Sequence, residues 1–290
     1  MEKIIIMSDS PADLLPEDTE GMPYKMVPSS VIYEDGRAIR ETEIDRAEFY
    51  EYLRTCKTIP SHAMGTPEQW SEALSEAIGA GYTHAVICTI SSTASSVYQS
   101  INIARELLEA DNPGALTIEL IDSRSYSMLY GNLLLKSLAQ VMEGKGFKEV
   151  VDDLRDGLSR TQGVLGAYSL RCMQKSGRIS GMAAFAGSLM GIKPVLLARD
   201  GAIAPIEKVR GDKNLVPAIV KHVKERIVDP ESQELLLLHG SIPEQELDRL
   251  EAMLYEEFKP LGVKRHSIGV TVVTNSGPET IVAGFLGKPY

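Results

Sequence analysis

Four serines fall within six residues in the stretch "SSTASS": Ser91, Ser92, Ser95 and Ser96. They follow the apolar run 85–90 and precede a segment with helical spacing. One or two hydroxyls suffice to cap a helix start, by accepting from its free backbone N–H groups. The rest can bond local backbone. The same hydroxyls, beside the positive end of a helix dipole, can also cradle a carboxylate or phosphate. Such a cradle works with neutral donors, and no Lys or Arg occurs from 85 to 104. Asp9 and Asp122 stand at two further strand ends, in "MSDS" (7–10) and "LIDS" (120–123). A carboxylate pair on one rim can do acid–base work, and an Asp there can equally cap the next helix. His62 sits in a loop, "PSHAMGTPE", ahead of a helical segment, where it could reach that rim. Phosphate-loop, GxGxxG, GxSxG and HExxH patterns are absent.

The elements that must position these residues follow from periodicity. Runs 3–7, 27–33, 85–90 and 117–121 read as strands. Helical spacing covers 47–56, 68–78, 96–109, 125–142 and 148–160. Strand-then-helix repetition predicts a parallel sheet flanked by helices. Ligands of such sheets bind beyond the carboxyl ends of the strands, so the three Ser/Asp-rich ends should share one rim. Beyond residue 160 the pattern changes. Asp200-Gly201 between two apolar runs is a hairpin signal. Strands are expected at 234–239, 267–274 and 280–285, with helices at 214–227 and 244–258. The predicted architecture is α/β in two domains: an N-terminal parallel-sheet domain, 1–160, and a C-terminal α+β domain, 161–290, with a mixed or antiparallel sheet. The segment 175–194 is rich in Gly, Ala and Met; it fits ordinary helix packing or the wall of an apolar tunnel.

Composition narrows the function. The charge of −10 disfavours a general nucleic-acid binder. Three cysteines without CxxC spacing predict neither a disulfide framework nor a zinc site, and point to a reducing compartment. The N-terminal apolar run is too short for a signal peptide, and no run reaches membrane-spanning length. A cytoplasmic monomer with no integral membrane segment is the expectation.

Seven motifs, in order along the chain, resemble the DegV family, fatty-acid-binding proteins that carry the lipid for bacterial fatty-acid kinases. They are "MSDSPADL" (7–14), "VPSSVIYEDGR" (27–37), "ISSTASSVYQS" (90–100), "IDSRSYSMLYG" (121–131), "KSGRI" (175–179), "GIKPVL" (191–196) and "DGAIAPIEKVRG" (200–211). The resemblance implies a long-chain fatty acid lying between two α/β domains. Its carboxylate would sit at the rim serines, and a separate kinase subunit would phosphorylate it with ATP. The chain itself would bind the ligand without catalysing the transfer, and would need no cofactor.

By the resemblance, Ser95 and Ser92 match the carboxylate-binding serine loop. Where the family has TSQP this chain has His62-Ala63-Met64-Gly65, losing a hydroxyl at Ala63. Where it has HxGPG, "NSGPE" puts Asn275 in place of the histidine. Ser96 stands where glycine is usual. His62 and Ser96 are expected to take over the lost contacts. Arg210, in the KVR segment, and Arg178, in "KSGRI", are the expected docking residues for the kinase subunit. The alternatives are a carrier of another amphiphile, or a small-molecule hydrolase or transferase working through Asp9 and Asp122.

Overall fold

The computed structural model describes residues 2–179, 181 and 191–290. Half of the glycine- and methionine-rich stretch expected to pack as a helix or line a tunnel, residues 180 and 182–190, lies outside the described residues. In chain order the first half runs β1 (Ile4–Asp9), β2 (Tyr24–Val27), β3 (Ser30–Ile32), β4 (Ala38–Arg40), α1 (Arg46–Thr55), β5 (Ser61–Ala63), α2 (Pro67–Gly79), β6 (His84–Thr89), α3 (Val97–Asp111), β7 (Thr117–Asp122), α4 (Met128–Met142) and α5 (Phe147–Arg160). The second half adds β8 (Thr161–Ala167), α6 (Arg171–Ser176), β9 (Ile192–Arg199), β10 (Ala202–Arg210), α7 (Leu215–Lys224), β11 (Glu234–His239), α8 (Glu244–Phe258), β12 (Gly262–Ser267), α9 (Val270–Ser276) and β13 (Thr280–Leu286).

Strands β2-β1-β6-β7 form a wholly parallel sheet. Every residue of β1 is buried, which is why "IIIMSD" reads as a continuous apolar run rather than an alternation. The helices that cross between these strands carry strong start signals. Thr66 and Gln69 form a capping box ahead of α2, with Pro67 at its first position. The Asp45 side chain accepts from the Glu48 amide at the start of α1. A second sheet, β10-β9-β8-β13-β11-β12, is antiparallel except for the parallel pair β11/β12. Asp200 (φ 51°) and Gly201 (φ 77°) make the two-residue turn between β9 and β10. One hydrophobic core runs from Ile6 and Val86 through Met128 to Leu165 and Leu236, so residues of both sheets share it.

Two expectations are corrected, and one strand is new. The strand expected at 27–33 is two strands in different sheets, because Pro28 cannot donate to a ladder and breaks the run. The strand expected at 267–274 ends at Ser267, and "VTVVTNS" folds as helix α9 despite its β-branched residues. The backbone amides at its start are claimed by two buried carboxylates: Gly269 N–H donates to Asp13 Oδ2 at 2.8 Å and Thr271 N–H to Glu41 Oε1 at 3.0 Å. Strand β8, which the periodicity does not reveal, sits between β9 and β13 in the second sheet.

Candidate functional site: a cavity walled by both halves

The parallel sheet does set three polar strand ends along one rim, but β6 lies between β1 and β7, so Asp9 and Asp122 are not on adjacent strands. Both carboxylates are engaged by hydrogen bonds. Asp9 is 1% exposed; it accepts from the Ile90 amide at 3.1 Å and from the Tyr130 hydroxyl at 2.7 Å. Burial pushes its carboxyl up to about 7, against the lowering effect of those bonds. Asp122 accepts from the amides of Ser92 (3.0 Å) and Arg124 (2.9 Å), and from the Ser92 hydroxyl.

The serine loop divides its work. Ser91 Oγ donates to the Gly201 carbonyl at 3.2 Å, as do Thr93 and the Tyr126 hydroxyl (2.7 Å). In return Gly201 N–H donates to the Arg124 carbonyl at 2.7 Å, and Arg124 pairs with Asp200 at 2.6 Å. These bonds pin the β9–β10 hairpin tip onto the rim. Ser92 holds Asp122. Ser95 Oγ accepts from Val97 N–H at 3.2 Å, capping α3. Ser96 occupies the N-cap position, is exposed, and makes no capping bond.

Beneath this loop lies a narrow cavity. Ile90, Ala94, Tyr126 and Met64 from the first half, with Ile179, Ile203 and Val272 from the second, give it a largely apolar wall. Its polar side chains are His62, Ser95, Arg178, Thr271, Asn275 and Ser276. Arg178 Nε donates to the Ala94 carbonyl at 3.1 Å, and its Nη1 to the Ser176 carbonyl (3.1 Å) and Asn275 Oδ1 (3.3 Å). Asn275 Nδ2 donates to the Thr271 carbonyl at 3.0 Å. The buried Nδ1 of His62 has no hydrogen-bond partner among the described residues. Burial, with the nearby Arg178 charge, lowers the imidazole's pKa and favours its neutral form. A more open, polar chamber shares His62, Arg178 and Asn275 with the cavity, and adds Lys175, Ser176, Thr274 and the 58–61 segment.

Of the residues expected at a head-group site, Ser95, His62 and Asn275 therefore come together, while Ser92 and Ser96 stand outside the wall. Arg178, expected to dock a partner, lines the cavity. Arg210 lies far along β10 from the hairpin tip, exposed, with its carbonyl accepting from Asn214. Strand alternation explains the 62–64 segment: His62 and Met64 face the cavity, and Ala63 is exposed and outside it. Thr271 was legible only through its helical spacing to Asn275, which the strand expectation hid. Among the described residues no cluster of His, Cys, Asp and Glu is arranged to hold a metal, and no helix is long and apolar enough to cross a membrane.

The fold and cavity define a class: α/β proteins in which a parallel sheet and a mixed sheet jointly wall a mostly apolar cavity. The chain belongs to the DegV family, described as uncharacterised proteins, whose model matches residues 3–288. It is 30% identical over 280 residues to a DegV domain-containing protein of Caldanaerobacter subterraneus, covering 96% of this chain and 97% of that protein. Among solved structures it is similar to a Thermus thermophilus DegV family protein described by its fatty-acid binding, with TM-score 0.86, 22% identity, and 98% and 99% of the two chains covered. It is also similar to a stearic acid-binding protein of Eubacterium ventriosum, with TM-score 0.86, 23% identity, and 99% of each chain covered.

Proposed function

We propose that this chain binds a long-chain fatty acid and presents it to a separate ATP-dependent kinase subunit that forms the acyl phosphate. The acyl chain occupies the apolar cavity, and the carboxylate lies at its polar side, among Ser95, His62, Asn275 and Arg178. The observation that carries the reading is this convergence on a largely apolar wall: a guanidinium, an amide, several hydroxyls and a buried imidazole nitrogen with no partner among the described residues. Each buried CH₂ contributes about 0.8 kcal/mol, so the chain supplies affinity and the head group needs only to be oriented. His62 supplies the contact that the resemblance marks as missing at Ala63. The fatty acids named for similar solved proteins support the same ligand class.

In this reading the chain is a substrate carrier, with a divide near residue 160, and Arg210 is a contact for the kinase. Extraction of the purified protein into organic solvent, followed by mass spectrometry, tests the ligand. A stoichiometric fatty acid is expected. Protein that is empty, and that takes up no added hexadecanoate, refutes the reading.

A further inference from the structure

Helix α9 brings Thr271, Val272, Asn275 and Ser276 to the cavity wall. It is seven residues long and rich in β-branched side chains, so it has little helical stability of its own. Something outside it must fix its place. Two buried carboxylates from the first half do so: Asp13, 2% exposed, and Glu41, 8% exposed. Glu41 accepts from the Thr271 amide (3.0 Å) and the Thr271 hydroxyl (2.8 Å), and also from Ser10 (2.6 Å) and Ser29 (2.8 Å). Asp13 Oδ2 accepts from the Gly269 amide at 2.8 Å and from the Ser127 hydroxyl.

Among the described residues neither side chain forms a salt bridge. Arg46, whose charge acts on Asp13, bonds the Asp13 carbonyl and Ser267 instead of the carboxylate. Buried carboxylates without an ion pair are costly, and hydrogen bonds must offset that cost. Here the bonds join the first half to α9. Negative charge also suits the start of a helix. From Glu41 the bonds continue unbroken: Thr271 to Glu41, Asn275 Nδ2 to the Thr271 carbonyl, and Arg178 to Asn275 Oδ1.

We propose that Asp13 and Glu41 are positioning residues for the head-group site, acting through α9 to set Asn275 and, through it, Arg178. The inference rests on the fatty-acid reading only for its consequence for affinity. The placement of α9 is independent of that reading.

Two measurements on the full chain test it. In Glu41→Gln, the side-chain amide meets donors where the carboxylate accepted, so amide hydrogen exchange at Thr271 and Asn275 should accelerate at least tenfold. Affinity for hexadecanoate should fall about tenfold, and combining Glu41→Gln with Asn275→Ala should cost little more than either change alone. Purely global destabilisation would instead give additive losses and exchange raised throughout the chain. If Glu41→Gln does not fold, Thr271→Val removes the hydroxyl with its shape kept, and Thr271→Ser should restore both readouts. Unchanged exchange in α9 overturns the positioning. So do additive affinity losses. Wild-type protein that binds no hexadecanoate would refute the functional reading, and the exchange result would still decide the role of Glu41.

Discussion

Arg178 Nη1 donates to Asn275 Oδ1 at 3.3 Å, and both residues line the inner cavity and the outer polar chamber. The guanidinium is held by main-chain carbonyls on two sides, so it is set in place before any ligand arrives. Such preorganisation favours binding by lowering the ordering cost. Arg178→Ala should raise the dissociation constant for hexadecanoate about tenfold, read by calorimetry. Arg178→Lys should recover only part of this, since an ammonium cannot reproduce the planar set of contacts. Full recovery by lysine would show that charge alone is needed.

The serines separate by role. Ser95→Ala should weaken hexadecanoate binding several-fold, because its hydroxyl stands on the cavity wall. Ser92→Ala should leave affinity unchanged and lower stability by no more than about 1 kcal/mol, since it loses only the bond to Asp122. Ser96→Gly should change neither. An affinity loss in the Ser92 or Ser96 variant would move the head group outward along the loop.

The buried acids predict a pH dependence of stability. Asp9 and Asp13 are both pushed up to about 7 by burial, from an ordinary value of 3.8. Between those limits the folded state binds more protons than the unfolded state. Their contribution to stability is therefore full below about pH 4, declines as pH rises, and is lost above about pH 7. Urea midpoints at about pH 5 and about pH 8 should show the decline, and Asp9→Asn should flatten it. An Asp9→Asn slope equal to wild type would show that Asp9 stays ionised when folded.

Gly201 should resist substitution. Its φ is +77°, and an added Cβ would lie 2.9 Å from Ser91 Oγ. Gly201→Ala should cost about 1–3 kcal/mol in chemical unfolding. It should also weaken ligand binding, since Ile203 on the same hairpin lines the cavity. A variant as stable as wild type would mean that the hairpin tip is not pinned.

Strands β1 and β6 of the parallel sheet were legible because they are buried along nearly their whole length, and with β7 they run into Ser- or Asp-rich ends, a local signal; β2 was not, because it is mostly half-buried and ends at Val27. Strand β8 was not, because Gly163 and Gly166 interrupt its apolar run. Those glycines answer to distant neighbours: a Cβ at Gly163 would lie 2.9 Å from Leu129, and one at Gly166 would lie 2.7 Å from Leu215. Helix α9 was misread for the same kind of reason. Its capping groups lie 256 and 230 positions upstream, beyond any periodicity window. At the site, the loop that carries Ser95 could be found from its hydroxyls, and His62 from its place in a loop ahead of a helical segment. The meeting of Arg178 with Asn275 is tertiary, and no spacing announces it.

The tie between Asp13 and α9 also orders events during synthesis. Asp13 leaves the ribosome 256 residues ahead of Gly269, and Glu41 leaves it 230 residues ahead of Thr271. Until those two emerge the carboxylates of Asp13 and Glu41 lack their amide partners, and one wall of the cavity is missing. Contacts of such long sequence separation form late and slowly. The nascent chain therefore cannot retain a ligand that needs Asn275 until α9 has emerged and docked.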